Sequence, residues 1–477
     1  MGNGKAKLIE GDVRPTLIKL TGPMMLALVS MIAFNLVDTA FIGMLGAREL
    51  AAMSFTFAPI FLLTSIAIGI GTGGTSVISR IIGEGRTKNV RRLTSDTIVL
   101  GLIISVITSI IGIFTIEPIF GLLGAEPDLL PLVRSYMTIW YISLPFVIVP
   151  IIGNSIIRST GDMKTPMYIM FVAIVINFIL DPILIFGPGP LPAMGLEGGA
   201  WATAIARGFT LPTAVYVLRH KEKMLIFGRP GFRDVLSSWR SILHIGIPAA
   251  FVNMLAPVNT AIVTIMVANQ GELAVGGFGA ASRVEALLIM PQIALGVAII
   301  PFIGQNMGAG RWDRIREGVH FSFKIMTVYG LAAFALMALT APLTAVLFNT
   351  NSVVVDSYVG YLRFAGLGFY MLGIALFVSS AFNGMGRPFP SAVLNVVRLI
   401  ILQVPFMLAG ASLFGLEGIY LGIAIGNAVV GLLSYIWLLK TVKRKGVGFR
   451  ISKFILPDCQ VDNLGSRLFG RPRECSG

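Results

Sequence analysis

Apolar runs broken at intervals by charged or Gly/Pro-rich turns fill the chain from about residue 15 to residue 440. Runs near 20 residues are long enough to cross a bilayer as helices. They predict twelve helices, over 15–45, 51–82, 90–116, 130–156, 165–187, 197–218, 240–268, 274–306, 314–347, 354–382, 389–413 and 417–440. The other spanning structure, a β-barrel, would alternate polar and apolar residues in segments of about ten. No such pattern is present, so the expected fold is an all-α integral membrane protein.

Charge tests the helix count. The turns "ISRIIGEGRTKNVRR" (78–92), "IRSTGDMK" (157–164), "LRHKEKMLIFGRPGFR" (218–233), "GRWDRIRE" (310–317) and "KTVKRKGVGFR" (440–450) should share a side with the N-terminus, and all are basic. The turns expected opposite, "EPIFGLLGAEPD" (117–128), "GPGPLPAMGLEGG" (187–199), "NQGE" (269–272), "NTNSVVVD" (349–356) and "FGLEG" (414–418), contain no Lys or Arg. By the positive-inside rule both termini are cytoplasmic, the helix number is even, and the chain is a multi-pass protein of the cell (plasma or inner) membrane. The net charge of +14 therefore reads as topology rather than as a nucleic-acid surface. Composition agrees: 13% of the 477 residues are charged, about half of what a soluble protein carries, which is roughly a quarter. The first run, from Leu17 to Met44, is too long for a signal-peptide core.

The two halves repeat. "GEGR" at 83–86 returns as "GAGR" at 308–311, an offset of 225 that Pro23 and Pro248, and Gly161 and Gly386, also keep. "GLEG" recurs at 195–198 and 415–418. Each copy holds six helices, an even number, so the copies are parallel and related by a pseudo-two-fold axis along the membrane normal. The expected organisation is a cytoplasmic segment 1–14, a first lobe 15–218, a basic linker 219–239, a second lobe 240–440 and a cytoplasmic tail 441–477, with a disordered end after Lys453. Two lobes around a central cleft are the plan of an alternating-access transporter.

Charged groups inside spans are rare and costly, so each is a functional candidate. Helix one carries Asn35 and Asp38, three apart; helix five carries Asn177 and Asp181, four apart; both spacings place a pair on one face. Both helices run outward, and each aspartate lies six or seven residues from the outer end. At 1.5 Å per residue that is about 10 Å below the outer edge. Helix six runs inward and brings Thr203 to the same depth. The repeat acts as an internal control. Asp38 falls near Val263, Asp181 on Val404, Asn177 near Ile400 and Thr203 on Ile423, all apolar. A group needed only to fold a lobe should recur in both lobes. The competing structural reading is a buried pair locking helices one and five together.

Two carboxylates at one depth in a low dielectric cannot both be comfortably ionised; they share a proton or hold a cation between them. Carboxylate, amide and hydroxyl oxygens are hard ligands suited to H⁺ or Na⁺. Asp38, Asp181, Asn177 and Thr203 thus form the expected cation-coupling site. Pro23 and Pro182 each remove a helix hydrogen bond and supply candidate gating points. In the second lobe Asn253 and Asn259, Arg283, Glu285 and Arg398 are polar within spans, with Arg398 the candidate partner of Glu285, as an ion pair or toward substrate. The three histidines lie near cytoplasmic boundaries, and Cys459 and Cys475 lie in the polar tail, so no Cys/His metal spacing exists.

The stretches "FNLVDTAFIGMLGARELAA" (34–52), "RSTGDMKTPMYIMFVAIVINFILDPILIFG" (158–187) and "GLEGGAWATAIA" (195–206) resemble the multidrug and toxic compound extrusion (MATE) family, in particular its DinF-like prokaryotic branch. The resemblance implies efflux of amphipathic, often cationic compounds in antiport with H⁺ or Na⁺, without a cofactor. It implies that Asp38, Asp181, Asn177 and Thr203 form the first-lobe cation site. Tyr136 and Asn154 match other polar lining positions, and Phe34 stands where relatives can carry a tyrosine. The expected substrate-lining set is Phe34, Asn35, Tyr136, Asn154, Asn259, Glu285 and Arg398. Partners are membrane lipids and small molecules, not nucleic acid, and the chain is expected to act as a monomer. A lipid or lipid-linked saccharide flippase of the same superfamily is the alternative. An enzyme would need a nucleophile and base or a metal set in the spans, and no HExxH, GxSxG or Cys/His cluster occurs.

Overall fold

A computed structural model describes residues 6–187, 192–226, 228 and 231–444, and every regular element in it is helical. The C-terminal stretch from residue 445, with both cysteines and the expected disordered end, lies outside the described residues. The first lobe comprises α1 (Val13–Gly43), α2 (Ala47–Gly83), α3 (Thr87–Leu122), α4 (Leu130–Ser159), α5 (Lys164–Phe186) and α6 (Gly195–Tyr216), which ends in a π-helical turn, Val217–Lys221. The second comprises α7 (Phe232–Ala268), α8 (Glu272–Leu288), α9 (Met290–Gly308), α10 (Trp312–Phe348), α11 (Ser352–Phe364), α12 (Phe369–Gly384), α13 (Pro388–Val396) and α14 (Val404–Arg444).

These fourteen elements make twelve spans. The eighth is α8 and α9, separated at Ile289 just ahead of Pro291, which cannot donate into the helix ladder. The tenth is α11 and α12, joined through a 3₁₀ turn at Ala365–Gly368. The eleventh is α13, the π-helical stretch Val397–Gln403 and the start of α14. Helix α14 then reverses at Gly415, whose φ of 59° suits glycine and little else. The reversal lays the Gly410 and Gly418 backbones against each other, and the remainder of α14 is the twelfth span. Ten of the spans, or merged runs of them, are long and apolar enough to cross a membrane. The sixth falls short of that apolarity, with Thr203 and Arg207 among its residues.

One boundary differs from expectation. Helix α7 begins at Phe232 and so takes in the last eight residues of the stretch read as a linker. The polar residues there dock the helix: Arg92 of α3 donates to the Asp234 carbonyl at 2.6 Å, and Trp239 Nε1 donates to the Asp96 carbonyl at 2.9 Å. Charge in this segment serves packing at the membrane edge.

The lobes cross over at their first helices. Val13, Leu17 and Leu20 of α1 pack in the second-lobe core with Phe302, Ile315 and Val319. Reciprocally, Ile242 of α7 packs in the first-lobe core with Ile70 and Ile78. Pro23 and Pro248 follow these crossing segments at equivalent repeat positions, inside helices that continue through them. Helices α2 and α7 meet so closely that a methyl group on Gly69 would lie 2.5 Å from the Gly246 carbonyl oxygen. Beyond this contact they diverge around a cavity of about 650 Å³, lined by Phe61 of α2 and by Ala256, Pro257, Thr260, Thr264 and Ile265 of α7.

On the basic face the lobes are tied. Ser76 Oγ donates to the Asn383 carbonyl at 2.5 Å, and Gln305 Nε2 to the Ser159 carbonyl at 2.8 Å. Arg314 donates to the carbonyls of Gly11 (2.6 Å), Glu10 (3.1 Å) and Leu8 (3.3 Å), so residues 8–11 form a strap across that face. Nearby, Arg316 reaches the carbonyls of Val442 and Lys443. Both described ends therefore lie on one face, as an even number of spans requires. The cleft is closed on the basic side and open on the other.

Candidate functional site

The polar set of the first lobe gathers where α1, α4, α5 and α6 converge. Asn177 and Asp181 lie one turn apart on α5, and Asn177 Nδ2 donates to Asp181 Oδ1 at 2.9 Å. The same nitrogen approaches Thr203 Oγ1 on α6 at 3.5 Å, so Thr203 lies at the level of Asn177, one turn from the expected level of Asp181. Asp181 is fully buried and Asp38 is 6% exposed. Asp181 Oδ2 and Asp38 Oδ1 are both buried without any hydrogen-bond donor. The two carboxylates lie within electrostatic range of each other, and Tyr136, buried on α4, lies within range of both.

Arg207 belongs to this set and is absent from the expected one. Its guanidinium sits 4.9 Å from the centre of the Phe34 ring, a cation–π arrangement, and within electrostatic range of Asp38. The signal was available. Arg207 is a charge within a span, one helical turn below Thr203. Phe34 thus acts as the platform for a cation rather than as a missing hydroxyl.

Three residues expected to line the substrate path lie outside this pocket. Asn35 is exposed while Asp38 is buried, so their three-residue spacing does not bring their side chains together. Asn154 lies on α4 eighteen residues beyond Tyr136, or about 27 Å along the helix at 1.5 Å per residue. It sits near the basic face, beside Ser155, whose carbonyl accepts from Thr75. Asn259 lies on α7 in the other lobe, with a buried Oδ1 that no donor reaches. Pro182 lies beside Asp181 in a helix that continues through it.

The second lobe has its own cluster. The Tyr361 hydroxyl of α11 donates to Glu285 Oε2 of α8. Arg398, in the π-helical stretch, is within electrostatic range of Glu285 without forming a contact ion pair. Tyr361 is fixed edge-to-face against Phe278 and Tyr420, each at 5.2 Å, and the Tyr420 hydroxyl pairs with Ser357 at 2.8 Å. Arg283 is exposed, so the expected Glu285–Arg398 proximity is present and Arg283 takes no part in it.

The first-lobe geometry suits a small hard cation. Two carboxylates, an amide oxygen and a hydroxyl come from three helices, with one oxygen of each carboxylate still free. None of these residues lines the cavity between α2 and α7. The acidic pocket and that cavity are therefore separate.

A two-lobed, twelve-span helical fold is that of a membrane transporter. The MatE family profile matches residues 23–183 and 248–408, one match to each lobe with the offset seen in the sequence. The chain belongs to the MATE family, whose members are transporters and not enzymes. It is 34% identical over 428 residues to the FAD transporter of Shewanella oneidensis, covering 90% of this chain and 95% of that protein. It is 26% identical to the probable multidrug resistance protein YoeA of Bacillus subtilis, covering 88% of this chain and 94% of that one. Among solved structures, the Vibrio cholerae MATE transporter VcmN in its bent form superposes with a TM-score of 0.86 at 28% identity, over 92% of this chain and 99% of that chain. An outward-facing multidrug resistance MATE transporter matches at 0.86 and 25% identity, over 94% of this chain and 100% of that chain.

Proposed function

We propose that the protein exports small organic solutes from the cytoplasm by antiport, driven by H⁺ or Na⁺ entering through the first-lobe pocket. The observation that carries this reading is the pair of buried carboxylates, Asp38 and Asp181, each with an oxygen that no protein donor reaches. A proton or Na⁺ between them relieves their mutual repulsion. Asn177 and Thr203 complete the ligand set, and Arg207 balances one of the two charges. Asp38 shares α1 with the crossing segment that packs on the second lobe, and Pro23 lies between the two. Charging or neutralising the pocket therefore acts on the same helix that holds the lobes together. In this reading the basic face is cytoplasmic, the membrane is the cell membrane, and the chain needs no cofactor.

Two solute classes are consistent with the pocket and its relatives. Amphipathic cations fit an acidic first lobe and the multidrug relatives. A flavin nucleotide is favoured by the likeness to the FAD transporter and by the buried arginine of the second lobe. The test uses purified protein in liposomes loaded with either a fluorescent amphipathic cation or FAD, with pH and Na⁺ gradients imposed separately. Efflux driven by one gradient and lost in Asp38→Asn and Asp181→Asn supports the reading and names the ion. Efflux indifferent to both gradients and both substitutions rejects antiport, and transbilayer movement of labelled lipid becomes the next assay.

A further inference from the structure

The ion chemistry of the first lobe leaves one buried charge in the second without a task. Arg398 is 8% exposed, its Nε is buried without a partner, and it makes no hydrogen bond to any described residue. A guanidinium stays charged and offers five donors. Burying it without an acceptor is costly, so such a position is kept for an acceptor that arrives. Glu285 is near enough to offset the charge, yet its carboxylate is engaged by Tyr361. Gln403, on the same π-helical stretch, donates to Asn427 at 2.9 Å and keeps its own Oε1 free of any donor. A π-helical segment widens the turn and is commonly retained where a side chain must be aimed.

The repeat brings out what is unusual here. Tyr361 stands at the position of Tyr136, with the offset of 225. Using the local offset that relates Pro405 to Pro182, Arg398 stands at Val175, half a turn from Asn177. Val175 is exposed on the face of α5 away from the buried Asn177, so the guanidinium has no counterpart in the first-lobe pocket, and the second lobe sets one acid beside an arginine of its own.

We propose that the second-lobe pocket is a solute site in which Arg398 receives a phosphate group. Glu285, held by Tyr361, acts as its counter-charge when the site is empty. The planar fork of arginine matches two phosphate oxygens at once. This deepens the transport reading, on which it rests, by making the preferred solute a phosphorylated compound rather than a simple cation.

Flavins supply a matched probe set, because riboflavin, FMN and FAD share a fluorescent ring and differ in phosphate. Binding is measured by fluorescence on the full chain in lipid nanodiscs. The wild type is expected to hold FMN or FAD about tenfold or more tightly than riboflavin, the scale of a hydrogen bond between charged groups. Arg398→Gln should reduce the phosphorylated flavins to the riboflavin level, and Arg398→Lys should retain part of the preference. Unchanged size-exclusion and thermal profiles show that the variants fold, and the lysine variant keeps the charge if the glutamine variant does not. Equal affinity for all three flavins, no binding of any, or a phosphate preference that survives Arg398→Gln overturns the proposal. Gradient-driven dye efflux separates the two readings. If it persists in Arg398→Gln while no phosphate preference exists, antiport stands and this site falls. If phosphate preference depends on Arg398 but no gradient drives efflux, the site stands and antiport falls.

Discussion

Tyr136 and Tyr361 occupy equivalent places in the two repeats, and each addresses a buried acid: Tyr136 the pair Asp38 and Asp181, Tyr361 the single Glu285. The repeat has kept the phenol and changed what surrounds it. In the first lobe two buried carboxylates lie near the phenol, and in the second one carboxylate accepts from it with Arg398 in electrostatic range. Under the proposed function this asymmetry would separate the driving ion from the solute.

The hydrogen bond from Asn177 engages Asp181 Oδ1 and leaves Oδ2 as the oxygen that the proposed coupling ion would meet. Asn177→Ala removes it and lets the carboxylate turn. The expected result is intact folding with the apparent affinity for the coupling ion weakened about tenfold, the scale of losing one hydrogen bond to a charged group. Efflux rate measured against ion concentration checks this. A maximum rate that falls with no change in ion dependence would place Asn177 outside the ion site.

Arg207 balances Asp38 without a contact ion pair and rests on Phe34. Arg207→Gln leaves two carboxylates with one fewer neighbouring positive charge, so they should hold a coupling cation more tightly and release it more slowly. We expect a lower half-saturating ion concentration together with a lower maximum efflux rate. Phe34→Leu removes the platform and should shift both quantities the same way, by less. Parallel weakening of ion affinity in both variants would show that Arg207 supports the site structurally rather than tuning its charge.

Fold and site were legible to different degrees, for physical reasons. Span length and the placement of lysine and arginine report directly on the bilayer, so twelve helices, their parity and the parallel repeat could be read before any coordinate. Depth was legible to about one helical turn wherever a helix end could be counted from: Thr203, expected level with Asp181, meets Asn177 one turn away. The same count along α4 excludes Asn154, since that helix runs toward the basic face. Facing was not legible. A three-residue spacing puts Asn35 and Asp38 on neighbouring edges of α1, and only packing decides which edge is covered. Arg207 is legible as a charge within a span, but the acid it faces, Asp38, lies on another helix, and sequence spacing carries no signal across helices.

The strap at residues 8–11 makes a prediction about gating. Arg314 is largely buried and spends its donors on three strap carbonyls and on Asn306 Oδ1 at 3.0 Å. Opening the basic face must break these bonds together with the bond from Ser76 to the Asn383 carbonyl. Arg314→Gln should therefore shift the population toward the state open on that face. With Cys459 and Cys475 replaced by serine, a reporter Ser76→Cys should react with a water-soluble thiol reagent about tenfold faster when Arg314→Gln is added, as expected for loss of one charge-assisted hydrogen bond. An unchanged labelling rate would mean that the strap follows the lobes and does not hold them.

Asp162 gives the fold a pH dependence at the basic face. It accepts from the Lys164 and Thr165 amides at 3.0 Å each, closing the first turn of α5, and pairs with Lys221 at 2.7 Å. Partial burial pushes its carboxyl up, but the hydrogen bonds from Lys221 and Thr165, with the Lys221 charge, outweigh this and hold it below the usual carboxylate range. A carboxyl depressed on folding contributes stability that is present above its unfolded value, about 3.9. That contribution is lost as pH falls through the lower folded value. Acidification from pH 6 to pH 3 should therefore lower the protection of the Lys164 and Thr165 amides, measured as exchange relative to the intrinsic rate at each pH. Asp162→Ala should already show low protection at pH 6, at a cost of about 1 kcal/mol typical of a lost helix cap, and its protection at these two amides should not change further on acidification. Because α5 carries Asn177 and Asp181 at its far end, the same variant reports whether anchoring that helix matters for coupling. Slow exchange in Asp162→Ala across the whole range would place the anchor of α5 elsewhere.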